Sequence, residues 1–327
     1  MATPAEWLAG ARPRTLPAAV APVLAGTAVA AYVDACVWWK AALALVVSLA
    51  LQVGVNYAND YSDGIRGTDD VRVGPMRLVG SKVATPGAVK RAAFLAFGVA
   101  GVAGLVLAAT TAWWLVAVGL ACILAAWFYT GGKKPYGYLA LGEVMVFVFF
   151  GLVAVIGTTY VQVHGRELYG DFGWFAYSPL DEGGLVGRGF FGNAPGLYNA
   201  GTWFWPALYS GIGIGALACA ILVVNNLRDI PTDTESGKRT LAVVLGAERT
   251  RGLYALLVLA AACAVIAVAA ATTWWTLFGL VFLARTVAPL RTVLGGAVGP
   301  ALIPVLQQTG IAEIVWATGV SLPLFLT

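Results

Sequence analysis

The sequence predicts an all-α polytopic membrane protein with nine transmembrane helices around a central cavity, N-terminus inside and C-terminus outside. Three observations carry this reading. Only 11% of the 327 residues are charged and 60% are hydrophobic, whereas a soluble domain carries about 25% charged residues. Apolar runs close to the 20 or so residues that cross a hydrocarbon core recur along the chain. Most of the 20 Lys and Arg residues fall on one side of the alternation those runs impose. The same composition excludes a soluble globular enzyme, a disordered chain and a nucleic-acid binder with a basic face. The net charge of +4 then reflects which loops face inward and requires no acidic partner.

The runs cover 16–33, 41–59, 92–110, 112–130, 139–161, 203–225, 253–271, 273–290 and 309–326. Neighbours meet through turns as short as Thr110-Thr111 and Thr272-Thr273. The first run follows Arg12 and Arg14 in the manner of a signal peptide, but eight further runs argue against that. With the N-terminus inside, only Lys40, Arg166 and Arg188 face outward. One span too many or too few would destroy this asymmetry. The chain is read as a single integral-membrane domain, 1–327, with 162–202 as an extracytoplasmic insertion. That insertion is rich in glycine and carries His164, Asp171, Asp181 and Glu182, with no metal-ligand spacing; His164 is expected to be an exposed loop residue. Cys36, Cys122, Cys219 and Cys263 are widely spaced in or beside apolar runs and are expected to be buried small apolar residues.

Acids are scarce, and two short windows hold seven of the 16. The first runs Asn56-Tyr-Ala-Asn59-Asp60-Tyr-Ser-Asp63-Gly-Ile-Arg66-Gly67-Thr-Asp69-Asp70. The second runs Asn225-Asn226-Leu-Arg228-Asp229-Ile-Pro-Thr-Asp233-Thr-Glu235-Ser-Gly237-Lys238-Arg239. Each follows the inner end of a span. On a helix Asn56, Asp60 and Asp63 share one face, at i, i+4 and i+7, and so do Asn226, Asp229 and Asp233, at i, i+3 and i+7. Pro231 is expected to end or kink the second helix. A carboxylate costs about 2.5–3.5 kcal/mol at mid-membrane and less near the interface, and clustered acids repel, so a strong cation is expected between them. Oxygen ligands without His or Cys suit Mg²⁺, which keeps positions for water and phosphate oxygens. The candidate metal ligands are Asn56, Asn59, Asp60, Asp63, Asp69, Asn226, Asp229 and Asp233. Asp60, Asp63, Asp229 and Asp233 are the candidate catalytic acids. Asp69 and Asp70 lie past Gly64 and Gly67 and are equally readable as solvated loop acids.

Basic residues interleave with these acids. Arg66, Arg77, Lys82, Lys133 and Lys238 are candidates for holding a diphosphate by charge-assisted hydrogen bonds, although the inward bias alone places cations there. Lys133 is favoured, being near a span end beside Tyr129. Lys90, Arg91, Arg249 and Arg251 stand at span starts and read as anchors. Glu143 falls inside the fifth run, where a carboxyl is expensive and a functional role is the default.

The motifs resemble a family. Asn59-Asp60-x-x-Asp63, and Asp229-x-x-x-Asp233 with Gly237-Lys238, are similar to the paired aspartate motifs of the UbiA superfamily of intramembrane prenyltransferases. Tyr129-x-x-x-Lys133 resembles its third signature. Arg12-Pro13-Arg14-Thr15-Leu16-Pro17, Gly67-x-Asp69, Gly74-Pro75-x-Arg77, Gly137-Tyr138-x-x-Leu141-Gly142-Glu143 and Asn225-Asn226-x-Arg228-Asp229 look like the branch that acts on 1,4-dihydroxy-2-naphthoate in menaquinone synthesis. Gly67 stands where most members have Asp, with Asp69 two residues later as in that branch.

The resemblance implies a cell-membrane enzyme with its active site facing the cytoplasm. It implies Mg²⁺-dependent transfer of a polyprenyl group from polyprenyl diphosphate to dihydroxynaphthoate, losing diphosphate and CO₂. The allylic C–O bond would break with carbocation character beside Tyr57, Tyr61, Trp127, Phe128, Tyr129, Phe147 or Phe150, whose ring faces attract cations; in so aromatic a chain, ordinary helix packing or an interfacial belt is the stronger reading of each. Arg14, Tyr129 and Glu143 are the candidate acceptor-binding residues, and the tail would leave sideways into membrane lipid. Another acceptor (4-hydroxybenzoate, homogentisate, chlorophyllide or protohaem) remains open. A transporter also pairs polar helices in an internal repeat, but near the bilayer midplane rather than at one face.

Overall fold

The computed structural model describes residues 2–67, 76–133, 135–164 and 201–327. Asp69, Asp70, Arg72 and Lys134 lie outside the described residues, as do Arg166, Asp171, Asp181, Glu182 and Arg188 of the 162–202 insertion.

Local chemistry sets the helix starts. Thr3 caps α1 (Pro4–Gly10) in a capping box, accepting from Glu6 N–H while its own N–H donates to the Glu6 carboxylate. Arg12 then takes a left-handed conformation, φ 55°, and the chain bends by 52° into α2 (Pro17–Tyr32). Next come α3 (Trp38–Arg66), α4 (Pro86–Ala109), α5 (Leu115–Phe128), α6 (Gly142–Val163), α7 (Gly201–Glu235), α8 (Leu241–Ala271), α9 (Trp274–Leu294) and α10 (Gly299–Leu326). Gly67 ends α3 at φ 72°, the left-handed close that glycine adopts without penalty. Thr85 and Thr240 cap α4 and α8.

Seven of these helices are long and apolar enough to cross a membrane, eight with the bent α1–α2 pair as one span. The span expected over 112–130 is reduced to α5, 14 residues long, about 21 Å at 1.5 Å per residue. Trp113 and Trp114 form the turn before it, and Tyr129 and Thr130 have already left the helix. Pro231 does not end α7, which continues to Glu235. Thr232 and Thr234 donate their hydroxyls to the carbonyls of Asp229 and Ile230 beside it.

The two ends of the bundle differ. Trp38, Trp39, Trp113, Trp274 and Trp275 are exposed at one end, in the manner of an interfacial aromatic belt. There Lys40 is buried and donates to Thr110 O and Thr111 Oγ1, a cation closing the C-terminus of α4. Gln162 bonds Val37 N–H, Thr27 and Thr158 O. The opposite end carries both acidic windows, the 129–141 loop and the turn after α7. An isolated bridge, Leu139 to Arg239, joins those last two segments.

The apolar core has two parts. The larger draws chiefly on α2 and α6–α10, and the smaller gathers Ala11, Tyr57, Leu78, Val79, Val89 and Phe97. Helix α6 meets α7 backbone to backbone. A Cβ on Gly151 would stand 2.5 Å from Gly211 O and 2.7 Å from Gly215 Cα, so only glycine permits the contact. Gly151 lies in a π-helical stretch, Phe147–Val153, an irregularity common at functional sites.

Candidate active site

A cavity of about 1370 Å³ runs through the bundle. Its shaft is apolar, walled by α4 and α5 on one side and by Met145, Phe149, Phe150 and Val153 of α6 on another. Asp63 and Ala44 both line it and stand about 28 Å apart along α3 at 1.5 Å per residue. Its head lies at the acidic end. Arg12, Arg14, Arg77, Arg228 and Lys238 line that head with Asp63, Asn59, Asn225 and Asn226. Among the described residues, five cations thus face one carboxylate, a charge balance that suits an anion.

The first window divides by role. Asn59 and Asp63, four residues apart, present their side chains to the cavity. Thr130 donates to Asn59 Oδ1 at 2.7 Å. Tyr138 donates its hydroxyl to Asp63 Oδ1 at 3.0 Å, and Arg77 approaches Oδ2 at 3.6 Å. Asp60 is turned away. It is 1% exposed and accepts from the N–H groups of Leu78 and Val79 at 2.7 and 3.0 Å, fastening the 76–84 segment to α3. Asn56 touches the cavity, but its Nδ2 donates to Ala11 O and Thr15 Oγ1 and its Oδ1 accepts from Gln52. Of the helix face expected to carry Asn56, Asp60 and Asp63 together, the first two side chains tie neighbouring segments to α3.

In the second window Asp229 is gripped by the adjacent Arg228 guanidinium through two bonds, 2.7 and 2.8 Å. Asp233 pairs with Lys238 at 3.7 Å and accepts weakly from Thr240. Both acids stand behind cations that line the cavity. Asn226 donates Nδ2 to Glu143 Oε1 at 2.9 Å, which leaves its amide oxygen for the cavity. Glu143 is 7% exposed, and its Oε2 has no hydrogen-bond partner among the described residues. It therefore backs Asn226 and does not line the cavity itself.

The remaining candidates are placed as follows. Arg14 and Tyr129 line the cavity. Lys133 is exposed in its loop and Lys82 is exposed at φ 58°; neither reaches the wall. Arg66 donates to Thr130 O and Gly132 O and so latches the 129–141 loop onto α3. Of the expected aromatic lining, Tyr129 and Phe150 are on the wall. Tyr57 instead packs under α1, Tyr61 stacks on Trp127, and Phe128 is exposed. Tyr136 lines the cavity and donates to Ala125 O at 2.7 Å; burial pushes its hydroxyl above the usual phenol range, so it stays a neutral donor. Among the cysteines only Cys219 is buried; Cys122 lines the shaft and Cys263 is exposed. His164 closes α6, half-buried against Tyr160.

Sequence reasoning gave no role to Tyr138 or Gln52. Tyr138 stood inside the quoted Gly137-to-Glu143 run, and its aromatic ring between two charged windows was the available signal.

A polytopic helical membrane protein with a cation-rich head and a long apolar shaft defines the class. Residues 19–294 match the UbiA prenyltransferase family, and the chain belongs to that family. It is 50% identical over 321 residues to the 1,4-dihydroxy-2-naphthoate octaprenyltransferase of Mycobacterium tuberculosis, covering 98% of this chain and 97% of that protein. The enzyme of the same name from Escherichia coli is 34% identical over 269 residues, 78% of this chain and 73% of that one. The fold is similar to the apo structure of a UbiA homolog from Aeropyrum pernix, with TM-score 0.67 and 10% identity over 94% of this chain and 97% of that one. It is also similar to a UbiA homolog from Archaeoglobus fulgidus bound to DMAPP and Mg²⁺, with TM-score 0.54 and 15% identity over 98% and 99%.

Proposed function

We propose that the protein transfers a polyprenyl group from its diphosphate to 1,4-dihydroxy-2-naphthoate, releasing diphosphate and CO₂ and giving demethylmenaquinol, the reduced form of demethylmenaquinone. The observation that carries this reading is the joining, in one cavity, of a basic head and an apolar shaft, which match the two ends of a prenyl diphosphate. The names of the relatives from M. tuberculosis and E. coli supply the acceptor.

Among the described residues no group of three or more His, Cys, Asp and Glu side chains gathers to hold a metal by itself. The head offers oxygen donors only: Asp63 and the amide oxygens of Asn59 and Asn226, with Asp229 and Asp233 behind. That set fits Mg²⁺, which leaves positions for phosphate oxygens. Mg²⁺ held there would supply Lewis-acid neutralisation of the leaving diphosphate. Lys238, Arg228 and Arg77 bind the same oxygens by charge-assisted bonds. Their present partners, Asp233, Asp229 and Asp63, hold them in position beforehand. Tyr129 and Phe150 offer ring faces to the developing allylic cation. Arg14 faces the acceptor carboxylate, Glu143 fixes the amide of Asn226, and the shaft keeps water from the cation. The substrate's tail lies in the shaft and continues into lipid. The inward bias of the basic residues supports a head that opens at the cytoplasmic face of the cell membrane.

Mass spectrometry of the product tests the reading. Purified protein in lipid nanodiscs receives a prenyl diphosphate with dihydroxynaphthoate, with and without Mg²⁺. Metal-dependent demethylmenaquinol is expected, detected as such or as demethylmenaquinone after oxidation in air. Product with 4-hydroxybenzoate or homogentisate alone would replace the acceptor, and no transfer to any acceptor would refute the activity.

A further inference from the structure

Tyr138 belongs to neither acidic window, yet it touches both. Its hydroxyl donates to Asp63 Oδ1 at 3.0 Å. Lys238 Nζ stands 5.3 Å from its ring centroid, and the Arg66 guanidinium 5.6 Å. Lys238 in turn holds Asp233. One residue further on, Leu139 bridges to Arg239, so the loop carrying Tyr138 is stapled by backbone to the segment carrying Lys238. A continuous contact path therefore runs from Arg77 through Asp63, Tyr138 and Lys238 to Asp233. Asp63 and Lys238 line the cavity, whereas Tyr138 does not.

We propose that Tyr138 is a positioning residue that sets the gap between Asp63 and Lys238, and with it the fit of the head for a diphosphate. The inference rests on the prenyl-diphosphate reading above. Two different physical contacts do the work. The phenol O–H orients the Asp63 carboxylate, and the ring face draws in the Lys238 ammonium. Without the ring, a Lys side chain with four rotatable carbons is held only by its ion pair with Asp233 at 3.7 Å. Without the hydroxyl, Asp63 keeps its contact with Arg77 and loses the Tyr138 bond to Oδ1.

The two contacts separate by mutation. Tyr138→Phe keeps the ring and removes the hydroxyl, while Tyr138→Leu removes both. Full-length protein in nanodiscs is assayed for kcat, for KM of prenyl diphosphate and acceptor, and for calorimetric binding of inorganic pyrophosphate in EDTA. Tyr138→Leu is expected to weaken pyrophosphate and raise the prenyl diphosphate KM by about fivefold to tenfold, the scale of one partly desolvated cation–π contact, leaving the acceptor KM unchanged. Tyr138→Phe is expected to restore both values to within about twofold, the ring contact being kept, while kcat stays lowered because Asp63 has lost the Tyr138 bond to Oδ1.

Three results overturn the proposal. One is wild-type pyrophosphate affinity and KM in Tyr138→Leu. Another is equal loss of affinity in the Phe and Leu variants. The third is a parallel rise of both KM values, which marks general loosening. Should Tyr138→Leu fail to fold, unaltered kcat in Tyr138→Phe overturns it. Failure of the unmutated protein to bind pyrophosphate or transfer prenyl groups would refute the underlying activity as well, and so is told apart from a fault in Tyr138 alone.

Discussion

Asp60→Asn separates a metal ligand from a structural anchor. In the structure each Asp60 oxygen accepts one backbone N–H, from Leu78 at 2.7 Å and from Val79 at 3.0 Å, and the carboxylate is buried. Asparagine keeps one acceptor and turns an NH₂ toward the other N–H. A hydrogen bond to a charged group contributes about 1.5–3 kcal/mol, and an orphaned buried donor costs about 1–3 kcal/mol. The 76–84 segment should therefore lose about 2.5–6 kcal/mol of anchoring. Since about 1.4 kcal/mol is tenfold in an equilibrium, amide exchange at Leu78 and Val79 should quicken by roughly thirtyfold or more. Arg77 and Ser81 of this segment line the cavity, so transfer activity should fall with the lost order. Hydrogen exchange read by mass spectrometry, a thermal melt in nanodiscs and a turnover assay on the same preparation check this. Wild-type exchange and melting with abolished turnover would refute the reasoning and return Asp60 to the ligands.

Asp63→Asn and Asp229→Asn should each abolish product at unchanged expression and unchanged exchange in 76–84, measured by the same two assays. EDTA should stop turnover and added Mg²⁺ restore it, followed by product mass spectrometry. Lys238→Ala should raise the KM for prenyl diphosphate about tenfold, as expected when a charged hydrogen bond worth roughly 1.5 kcal/mol is lost, whereas Lys133→Ala, exposed and off the wall, should leave it within about twofold, in line with a solvent-screened charge. Glu143→Gln keeps an acceptor for Asn226 and should retain most activity; Glu143→Leu leaves that amide donor unpaired and should lose stability by about 1–3 kcal/mol, read as a lowered melting temperature together with lost turnover.

The fold was legible because the membrane imposes it. A chain that must satisfy its backbone within lipid has helices or a closed barrel available, and runs of about twenty apolar residues decide between them. Helix lengths at the turns were less legible. Ala112 to Trp114 and Tyr129 to Thr130 are apolar enough to read as span, yet they form the connections that leave α5 short. In the site, residue type located both windows, but helical spacing misjudged what each oxygen bonds. Asn56 and Asp60 sit at i and i+4 as expected, and their partners come from Ala11, Thr15, Leu78 and Val79. Those partners lie on segments whose approach to α3 no pattern within 56–70 encodes. The close fit of one such segment shows at Gly64, where a Cβ would stand 2.4 Å from Val79 Cγ1.

The arrangement of charge explains why so many acids serve a site that binds an anion. Five cations crowding one cavity head would repel each other and swing their long side chains toward water. Asp229 and Asp233, set one layer behind, hold Arg228 and Lys238 in place, and Asp63 does the same for Arg77 at the wall. An exposed ion pair contributes little to stability, but here most of these groups are buried, and a buried pair is costly to break because it strands a charge. The stranded charge is what makes such a head selective. A ligand that draws Lys238 or Arg77 away from its acid must supply comparable negative charge at the same spot. On the proposed reading a diphosphate with a divalent ion would do so, since the ion would compensate the acid as the phosphate oxygens compensate the base. A neutral prenyl alcohol does not, so the head discriminates by charge while the shaft accepts any sufficiently slender apolar tail.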